Sequence, residues 1–515
     1  MVVQSCRKIV AGAHFQLYFS TRMTKQRARS NPVDLRAIAE HTMAEAGFDP
    51  DFDADVRAEV QALETGPVVE ATADVRDLRS LLWSSIDNRE SRDLDQVEVA
   101  EALPGGDTRL MIAIADVDAR VPTGSAIDRH AQQNGVSVYT GIKTFPMLPE
   151  ELSTDLTSLN PNEDRLAVVT ELVLASDGIV KSIDIYRAQV RSHAKLSYGV
   201  IGAWFDGDNP PAPEPVTSVP GLEAQLRLQE ESAKDLSELR KQHGALELGT
   251  IQSSPIVDAA GNVTELEVVE QNSARDLIAN FMIAANVAMA QFLEGKGGPT
   301  LQRVVRTPKY WDRIVDIAGE HGTKLPAAPD SRALAAFLES QKKSDPIHFP
   351  DLSLAIVKSL GPGEYAVQLP GEQGEGHFGL AVQDYTHSTA PNRRFADLVT
   401  QRLVKAALAN QPPPYSLDGL KRIAAHLNER DSAAHKVERK MRKVAAAVLL
   451  QDKVGDEFNA IVTGVSDKGT FARALSPPVD GRVMKGERGL RVGEKVRVRL
   501  LSADVQRGFI DFARA

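Results

Sequence analysis

Apolar side chains return every three to five residues in two early stretches: Leu35, Ile38 and Met43 between Val33 and Gly47, then Val56, Val60 and Leu63 between Ala54 and Thr65. That spacing predicts two amphipathic helices, and Phe48-Asp49-Pro50-Asp51 breaks the pattern between them. A strand pair from Gly66 to Val75 would turn them into a small winged helix-turn-helix. From Leu78 onward the period changes. Arg109–Ala115, Ala167–Leu174 and Ile179–Val190 read as strands, and longer helical patterns follow at Pro220–His243, Ser273–Glu294 and Phe395–Ala409. Such a mixture predicts one large α+β domain of about 350 residues, with the Pro-rich stretch from Asp206 to Pro220 as a surface loop.

The end of the chain has a different rhythm. Short alternating runs at Phe458–Val465, Gly469–Arg473, Gly481–Val483, Lys495–Ser502 and Gly508–Phe512 are separated by glycine and charged turns, as in a five-stranded barrel. The resulting division is a basic flexible tail at 1–32, a small helical domain at 33–77, a large mixed α/β domain at 78–453 and a β-barrel at 454–515.

Composition narrows the class. Apolar residues make up 42% of the 515, enough for several buried cores. The single cysteine, Cys6, has no intramolecular partner and no Cys/His group has zinc spacing, so a reducing, cytoplasmic setting is expected. Apolar runs such as Val444–Leu450 fall short of the roughly 20 residues of a membrane span, and no membrane contact is expected. Met1–Pro32 carries six Lys/Arg and no acid, without the apolar centre of a secretory signal. The net charge of −10 hides a strong asymmetry: Arg430–Ala515 has 18 basic against 11 acidic residues, leaving 42 against 59 before it. Local clustering of this kind, and not the whole-chain sum, makes a phosphate-binding surface.

One stretch carries chemistry. Asp87, Asp93 and Asp95 fall within nine residues, a density of like charge that needs a cation to hold it. Hard divalent ions take such oxygen ligands, and Asp93 and Asp95, two apart, share a face in an extended segment. An acidic surface turn is the plain alternative for an isolated motif of this kind.

Further motifs change that balance. Asp87–Asp95 resembles the aspartate signature of the RNase II family of exoribonucleases. Met111–Val117, Tyr139 seven residues before Pro146-Met147-Leu148-Pro149, Glu151-Leu152-Ser153, Asp155–Leu159, Met282–Asn286 and His377-Phe378-Gly379-Leu380 follow in the family's order. So does Tyr385-Thr386-His387-Ser388-Thr389-Ala390-Pro391-Asn392-Arg393-Arg394-Phe395-Ala396-Asp397. The terminal barrel resembles the S1-type OB fold. The likeness spans about residues 78 to 512 and implies a multidomain α+β protein: a large RNB catalytic domain, a C-terminal S1 barrel and a small helical N-terminal domain in place of cold-shock domains.

The resemblance implies a hydrolytic 3′→5′ exoribonuclease that threads the 3′ end of single-stranded RNA and releases nucleoside 5′-monophosphates. A more open entrance would admit structured RNA. Asp87, Asp93, Asp95 and Gln96 are the implied ligands of Mg²⁺, with Mn²⁺ a substitute, and Asp95 is the carboxylate hardest to replace. Arg393 would grip phosphate oxygens, with an ion pair to Asp397 as its structural alternative. Tyr139 would stack on the terminal nucleotide or stand as a half-buried sheet tyrosine. Glu438 would line the RNA path or form a helix salt bridge. In the barrel, Phe458 and Phe471 would stack bases and Arg497 and Arg499 meet phosphates, unless both rings are core. No obligate protein partner is expected, and the chain reads as a monomer.

Three departures stand out: Gln96 where the family has a fourth aspartate, Ala279-Asn280 where it writes two glutamates, and Ala390 and Asn392 around the arginine. They motivate two other readings, a catalytically degenerate RNA-binding or regulatory protein and a deoxyribonuclease.

Overall fold

A computed structural model of the chain describes residues 33–66, 72–208, 210–249, 253–258, 263–268, 271–372, 374–466 and 469–515. The basic tail and residues 67–71 of the strand pair expected at Gly66–Val75 lie outside the described residues, and the described residues 72–75 of that stretch form a turn and no strand. The two early helices form as α1 (Leu35–Glu45) and α2 (Ala54–Thr65). Asp53 starts the second by accepting the Val56 N–H at 2.9 Å, satisfying one of the free donors of a first turn.

A mixed sheet follows, built from β1 (Arg76–Asp77), β2 (Trp83–Asp87), β3 (Gln96–Ala102) and β4 (Thr108–Ala115). After α3 (Ala126–Asn134) and the hairpin β5 (Val138–Tyr139)–β6 (Thr144–Phe145), it is completed by β7 (Asp164–Leu174) and β8 (Val180–Ser197). The order is β1-β8-β2-β3-β4-β7, and it returns on itself because β8 also pairs with β7. The first part of β8 runs antiparallel to β7, and its end, from Ser192 to Ser197, runs parallel to β2. This strand continues past the expected end at Val190. Its last residues alternate buried Ser192, Ala194 and Leu196 with half-buried Arg191, His193 and Lys195, and those polar side chains mask the period in the sequence.

Both faces of the sheet are covered. The rest of the large domain comprises α4 (Tyr198–Asp206), α5 (Glu214–Thr217), α6 (Leu222–Gln242), the hairpin β9 (Ser253–Val257)–β10 (Val263–Val268) and α7 (Ser273–Gly295). Then come β11 (Thr300–Val304), α8 (Trp311–Glu320), α9 (Ser331–Ser344), α10 (Phe349–Leu360), β12 (Glu364–Gln368), α11 (Phe395–Leu408) and α12 (Leu417–Leu450). Trp83, Val97, Val99, Met111 and Ala113 pack with α3 and α11 through Ile127, Phe395, Leu398 and Val399. Ile86, Ala100, Leu110, Ile112 and Leu172 face α4, α6 and α7 through Ile201, Leu226, Leu277 and Phe281.

Two elements differ from expectation. The Pro-rich loop contains the short helix α5, where Pro215 occupies the first turn, the position that tolerates a missing N–H. By length and composition α7 is long and apolar enough to cross a bilayer, contrary to the reading that every apolar run is too short, but Leu277, Phe281, Ala285 and Met289 bury it in the two cores.

The terminal strands β13 (Glu457–Ser466), β14 (Gly469–Leu475), β15 (Pro478–Lys485), β16 (Lys495–Asp504) and β17 (Phe509–Arg514) close into a barrel in the order β13-β14-β15-β17-β16. Val462, Ala472, Val483, Val498, Leu500 and Phe512 fill it, and Ala446, Ala447 and Leu450 at the end of α12 join the same core.

Candidate active site

The aspartates lie where β2 ends and β3 begins. Asp87 is the last residue of β2, and its Oδ1 accepts the Asn88 N–H at 2.6 Å and the Ser91 hydroxyl at 2.9 Å. The loop then returns through Asp93 to Asp95, which is only 2% exposed. Its path is fixed from outside. Leu94 donates its N–H to Ser158 Oγ at 3.0 Å and accepts from the Leu159 N–H at 2.9 Å, while Ser158 donates to the Arg92 carbonyl at 2.9 Å. The Asp155–Leu159 motif thus acts on the signature by holding its backbone.

Asp95 meets the loop ahead of α11. Its Oδ1 accepts the Asn392 N–H at 3.1 Å and its Oδ2 lies 3.4 Å from Arg393 Nε. Asn392 is itself held by the Thr157 hydroxyl, which donates to its Oδ1 at 2.6 Å. The alternative role for Arg393, an ion pair with Asp397, falls to its neighbour. Arg394 donates to both Asp397 oxygens, at 2.8 and 2.7 Å, and Asp397 also accepts the Ala390 N–H at 2.8 Å. Arg393 is left facing Asp95, with its side chain 47% exposed and lining a cavity of about 280 Å³. Behind this loop, Asn286 Oδ1 accepts both the N–H and the hydroxyl of Ser388 at 2.8 Å, which gives the Met282–Asn286 motif its place.

Tyr139 connects the aspartates to α12. Its hydroxyl donates to Asp93 Oδ2 at 3.2 Å, its N–H donates to Glu438 Oε1 at 3.2 Å, and 42% of its surface is open. It therefore sits in a two-stranded hairpin as a wall of the site. Glu438 also approaches the His435 ring, with Oε2 3.6 Å from Nδ1. A cavity of about 1390 Å³ lies on the Asp93 side of Tyr139, and a smaller one of about 280 Å³, lined by Arg303, Tyr365, His387, Arg393, Arg394 and Glu438, lies on the other.

Burial sets the electrostatics. It pushes the Asp95 carboxyl up to about 7, against the pull of Arg393 and with Asp93 adding repulsion. Asp87 is raised for the same first reason, although the Asn88 N–H and the Ser91 hydroxyl oppose it. Each aspartate is engaged separately: no three His, Cys, Asp or Glu side chains among the described residues form a ready-made metal-binding group. The donor set nevertheless fits a hard cation, since buried carboxylates that repel one another are relieved by a positive ion placed between them.

Gln96 opens β3 opposite Ile114 and is 7% exposed. Strand alternation places it in the same row as Glu98 and Ala100, the row covered by α6 and α7. One residue that the sequence did not single out also belongs to the site's surroundings. Arg275 lines the larger cavity, lies 4.4 Å over the Tyr198 ring and donates to Asn88 Oδ1 at 2.9 Å. An arginine in the first turn of a helix stands against the helix dipole, which was the available signal.

The barrel residues divide. Phe471 is 38% exposed on β14. Phe458 is half-buried against the barrel core, its ring 6.5 Å from that of Phe512. Arg497 and Arg499 both pair at 2.8 Å with Glu457, and both stay more than half exposed.

Known proteins share this architecture. The RNB domain matches residues 75–410, well over half the chain, and the RNase II-type exonuclease C-terminal S1 domain matches residues 456–515. Ribonuclease R of Escherichia coli (strain K12) is 30% identical over 494 residues, covering 89% of this chain and 59% of that protein. Ribonuclease R of Aquifex aeolicus (strain VF5) is 28% identical over 547 residues, 99% of this chain and 76% of the relative. The chain spans only 56% of Ribonuclease R 1 of Lactococcus lactis. Among solved structures, Mycoplasma genitalium RNase R in complex with ribose methylated single-stranded RNA superimposes with a TM-score of 0.83 at 23% identity, over 94% of this chain and 78% of that one. Yeast Ssd1, a pseudonuclease, shares the fold with a TM-score of 0.67 at 16% identity, over 90% of this chain and 57% of that one. With the mixed sheet, the aspartate loop and the terminal barrel all in place, the chain belongs to the RNB-domain family and ends in an S1 domain of the RNase II type.

Proposed function

We propose that this protein is a hydrolytic 3′→5′ exoribonuclease that works in the cytoplasm and shortens single-stranded RNA to nucleoside 5′-monophosphates, using Mg²⁺ or, in its place, Mn²⁺. One observation carries the reading: Arg394 absorbs Asp397, so Arg393 is free to stand beside Asp95 and open into the smaller cavity. A protein that merely needed a charge to stabilise that turn would have no use for the second guanidinium.

The roles follow from phosphodiester chemistry. Asp87, Asp93 and Asp95 would hold the cation. When bound, such an ion activates water and offsets charge on the phosphate oxygens. Arg393, anchored on one side by Asp95, presents its remaining N–H groups to those oxygens. Asp95 therefore orients the arginine as well as contributing charge. Tyr139 walls the terminal nucleotide and ties Asp93 in place through its hydroxyl, while the exposed Phe471 gives single-stranded bases an apolar face.

Incubating 5′-labelled poly(A) with the protein and Mg²⁺, with and without chelator, tests the reading. A metal-dependent loss of nucleotides from the 3′ end is expected. Binding with no shortening would leave the degenerate reading, which the neutral Gln96 favours. Matched RNA and DNA oligomers separate a ribonuclease from a deoxyribonuclease.

Tyr139 gives a finer test. Tyr139→Phe removes only the hydroxyl held on Asp93 and should lower kcat with KM nearly unchanged. Tyr139→Ala should raise KM as well, by about five- to 150-fold if one stacking contact of roughly 1–3 kcal/mol is lost. Equal kinetics for the two variants would remove the ring from the RNA path.

A further inference from the structure

The smaller cavity behind Tyr139 has no role in the account so far. Ser137 and Tyr139 line both cavities, whereas Asn392 faces the larger one and Arg393, the next residue, faces the smaller. A phosphate gripped by Arg393 therefore sits at the boundary between them. Guanidiniums dominate the far wall: Arg303, Arg393, Arg394 and Arg430 border the space, against two carboxylates, Asp431 and Glu438. Both acids are already engaged. Asp431 accepts from Arg303 Nη2 at 2.9 Å, and Glu438 accepts the Tyr139 N–H at 3.2 Å.

Donors are left over on this wall. Arg303 is held in place by its backbone N–H, which donates to the Tyr385 carbonyl at 2.7 Å, by the Tyr365 ring 4.7 Å from its guanidinium and by Asp431 on Nη2. Its Nη1 is buried and has no hydrogen-bond partner. A buried N–H on a charged group is costly without an acceptor, and the acceptor that suits a guanidinium is an oxyanion. Arg393 approaches Asp95 through Nε, at 3.4 Å, and keeps its Nη groups for phosphate oxygens. The volume of about 280 Å³ is close to the roughly 300 Å³ at which small-molecule cavities begin. It suits one phosphate with its sugar and excludes a strand.

We propose that this cavity is a product pocket, which receives the 5′-phosphate of the released nucleoside monophosphate between Arg303 and Arg393. The identity of the ligand rests on the proposed function; the preference for a phosphate rests on the cavity alone. Hydrolysis puts the oxygen of water on phosphorus and breaks the P–O3′ bond. One proton of the water ends on the departing O3′ and the other goes to solvent. A diester with one negative charge thus becomes a monoester with about −1.5 to −2 near pH 7. The added charge draws the product to the side where guanidiniums outnumber carboxylates. The aspartates are then cleared on the side of the larger cavity, where the shortened strand can advance.

Calorimetric titration of the full chain with adenosine 5′-monophosphate in chelator, with adenosine as the control, reads the site without turnover. The monophosphate should bind and adenosine should bind far more weakly. Arg303→Met should weaken the monophosphate about tenfold or more, the scale of a hydrogen bond between charged groups. Where that variant strands Asp431 and does not fold, Arg303→Met together with Asp431→Leu keeps the net charge of the cavity and should show the same loss. During digestion of poly(A) with Mg²⁺, the monophosphate concentration that halves the rate should rise by the same factor, and KM for poly(A) should move far less. No binding to the unaltered protein, or unaltered affinity in a folded variant, overturns the assignment. So does a rise confined to KM for poly(A), which would put a backbone phosphate of the strand in the cavity. If the monophosphate binds through Arg303 and the protein shortens no RNA, the proposed function falls and the cavity stands as a phosphate site.

Discussion

Asp95→Asn should reduce turnover of RNA by about a thousandfold, the scale of losing one preorganised charge at a reacting centre, and leave RNA affinity intact. The amide can still accept the Asn392 N–H that Asp95 accepts at 3.1 Å, so the loop keeps its course. It loses the charge facing Arg393 and the cation. The same variant should be more stable than the unaltered protein in chelator at high pH. The Asp95 carboxyl is pushed up to about 7 from 3.8, chiefly by burial. Between those values the folded protein holds a proton that the unfolded chain releases, so stability falls as pH rises through this window. At pH about 8 the whole cost is present, and asparagine does not incur it. Thermal melts at a series of pH values, in chelator, check the claim. Parallel curves for the two proteins would show that Asp95 is not held at a cost, and near-normal hydrolysis would remove it from the active centre.

Asp397→Ala should be the more damaging change for the fold. This carboxylate is fully buried and serves the Arg394 guanidinium through two bonds and the Ala390 N–H through a third. Removing it leaves a largely buried arginine without its counter-charge, a change that typically costs about 3–5 kcal/mol. Asp397→Asn retains an acceptor and should lose less. Replacing both partners with apolar residues, Arg394→Met together with Asp397→Leu, should recover much of the loss, because no charge is then stranded. Denaturant unfolding of the three variants gives the comparison. If the single alanine variant is as stable as its parent, the pair is not what holds the turn before α11. Activity should fall with Asp397→Ala even where the protein stays folded, since Arg393 is carried on that turn.

Much of this was open to a reading of the residues, and the exceptions have physical causes. The helices α6 and α7 and the barrel strands followed their apolar periods because one face of each is buried and the other more open, whereas α11 is buried on every side from Phe395 to Val404. Arg393 and Arg394 could not be told apart with the same certainty, since adjacent side chains of one type differ only in direction. The structure separates them by which one reaches Asp397. Glu98 was hidden for another reason. In Gln96-Val97-Glu98-Val99 the alternation of polar and apolar residues reads as a half-wet strand with Glu98 outward. Helices α6 and α7 cover that outward face, and what looked like a solvent-facing acid became a buried one. Phe458 and Phe471 posed a similar problem: both fall in alternating strands of the barrel, and only the closed order of those strands shows which ring packs towards Phe512. Tyr139 and Glu438 lie 299 positions apart, and their contact depends on how α12 crosses the hairpin.

The helix α12 runs unbroken for 34 residues. Glu438 touches the wall of the catalytic pocket, and Leu450, twelve residues on, is rooted in the barrel. At 1.5 Å per residue this is a stiff strut of about 18 Å. On the proposed function, grip and cut are held at a set gauge, and a fragment too short to bridge it is tethered at one end alone. Digestion then slows at a length decided by the strut and not by base sequence.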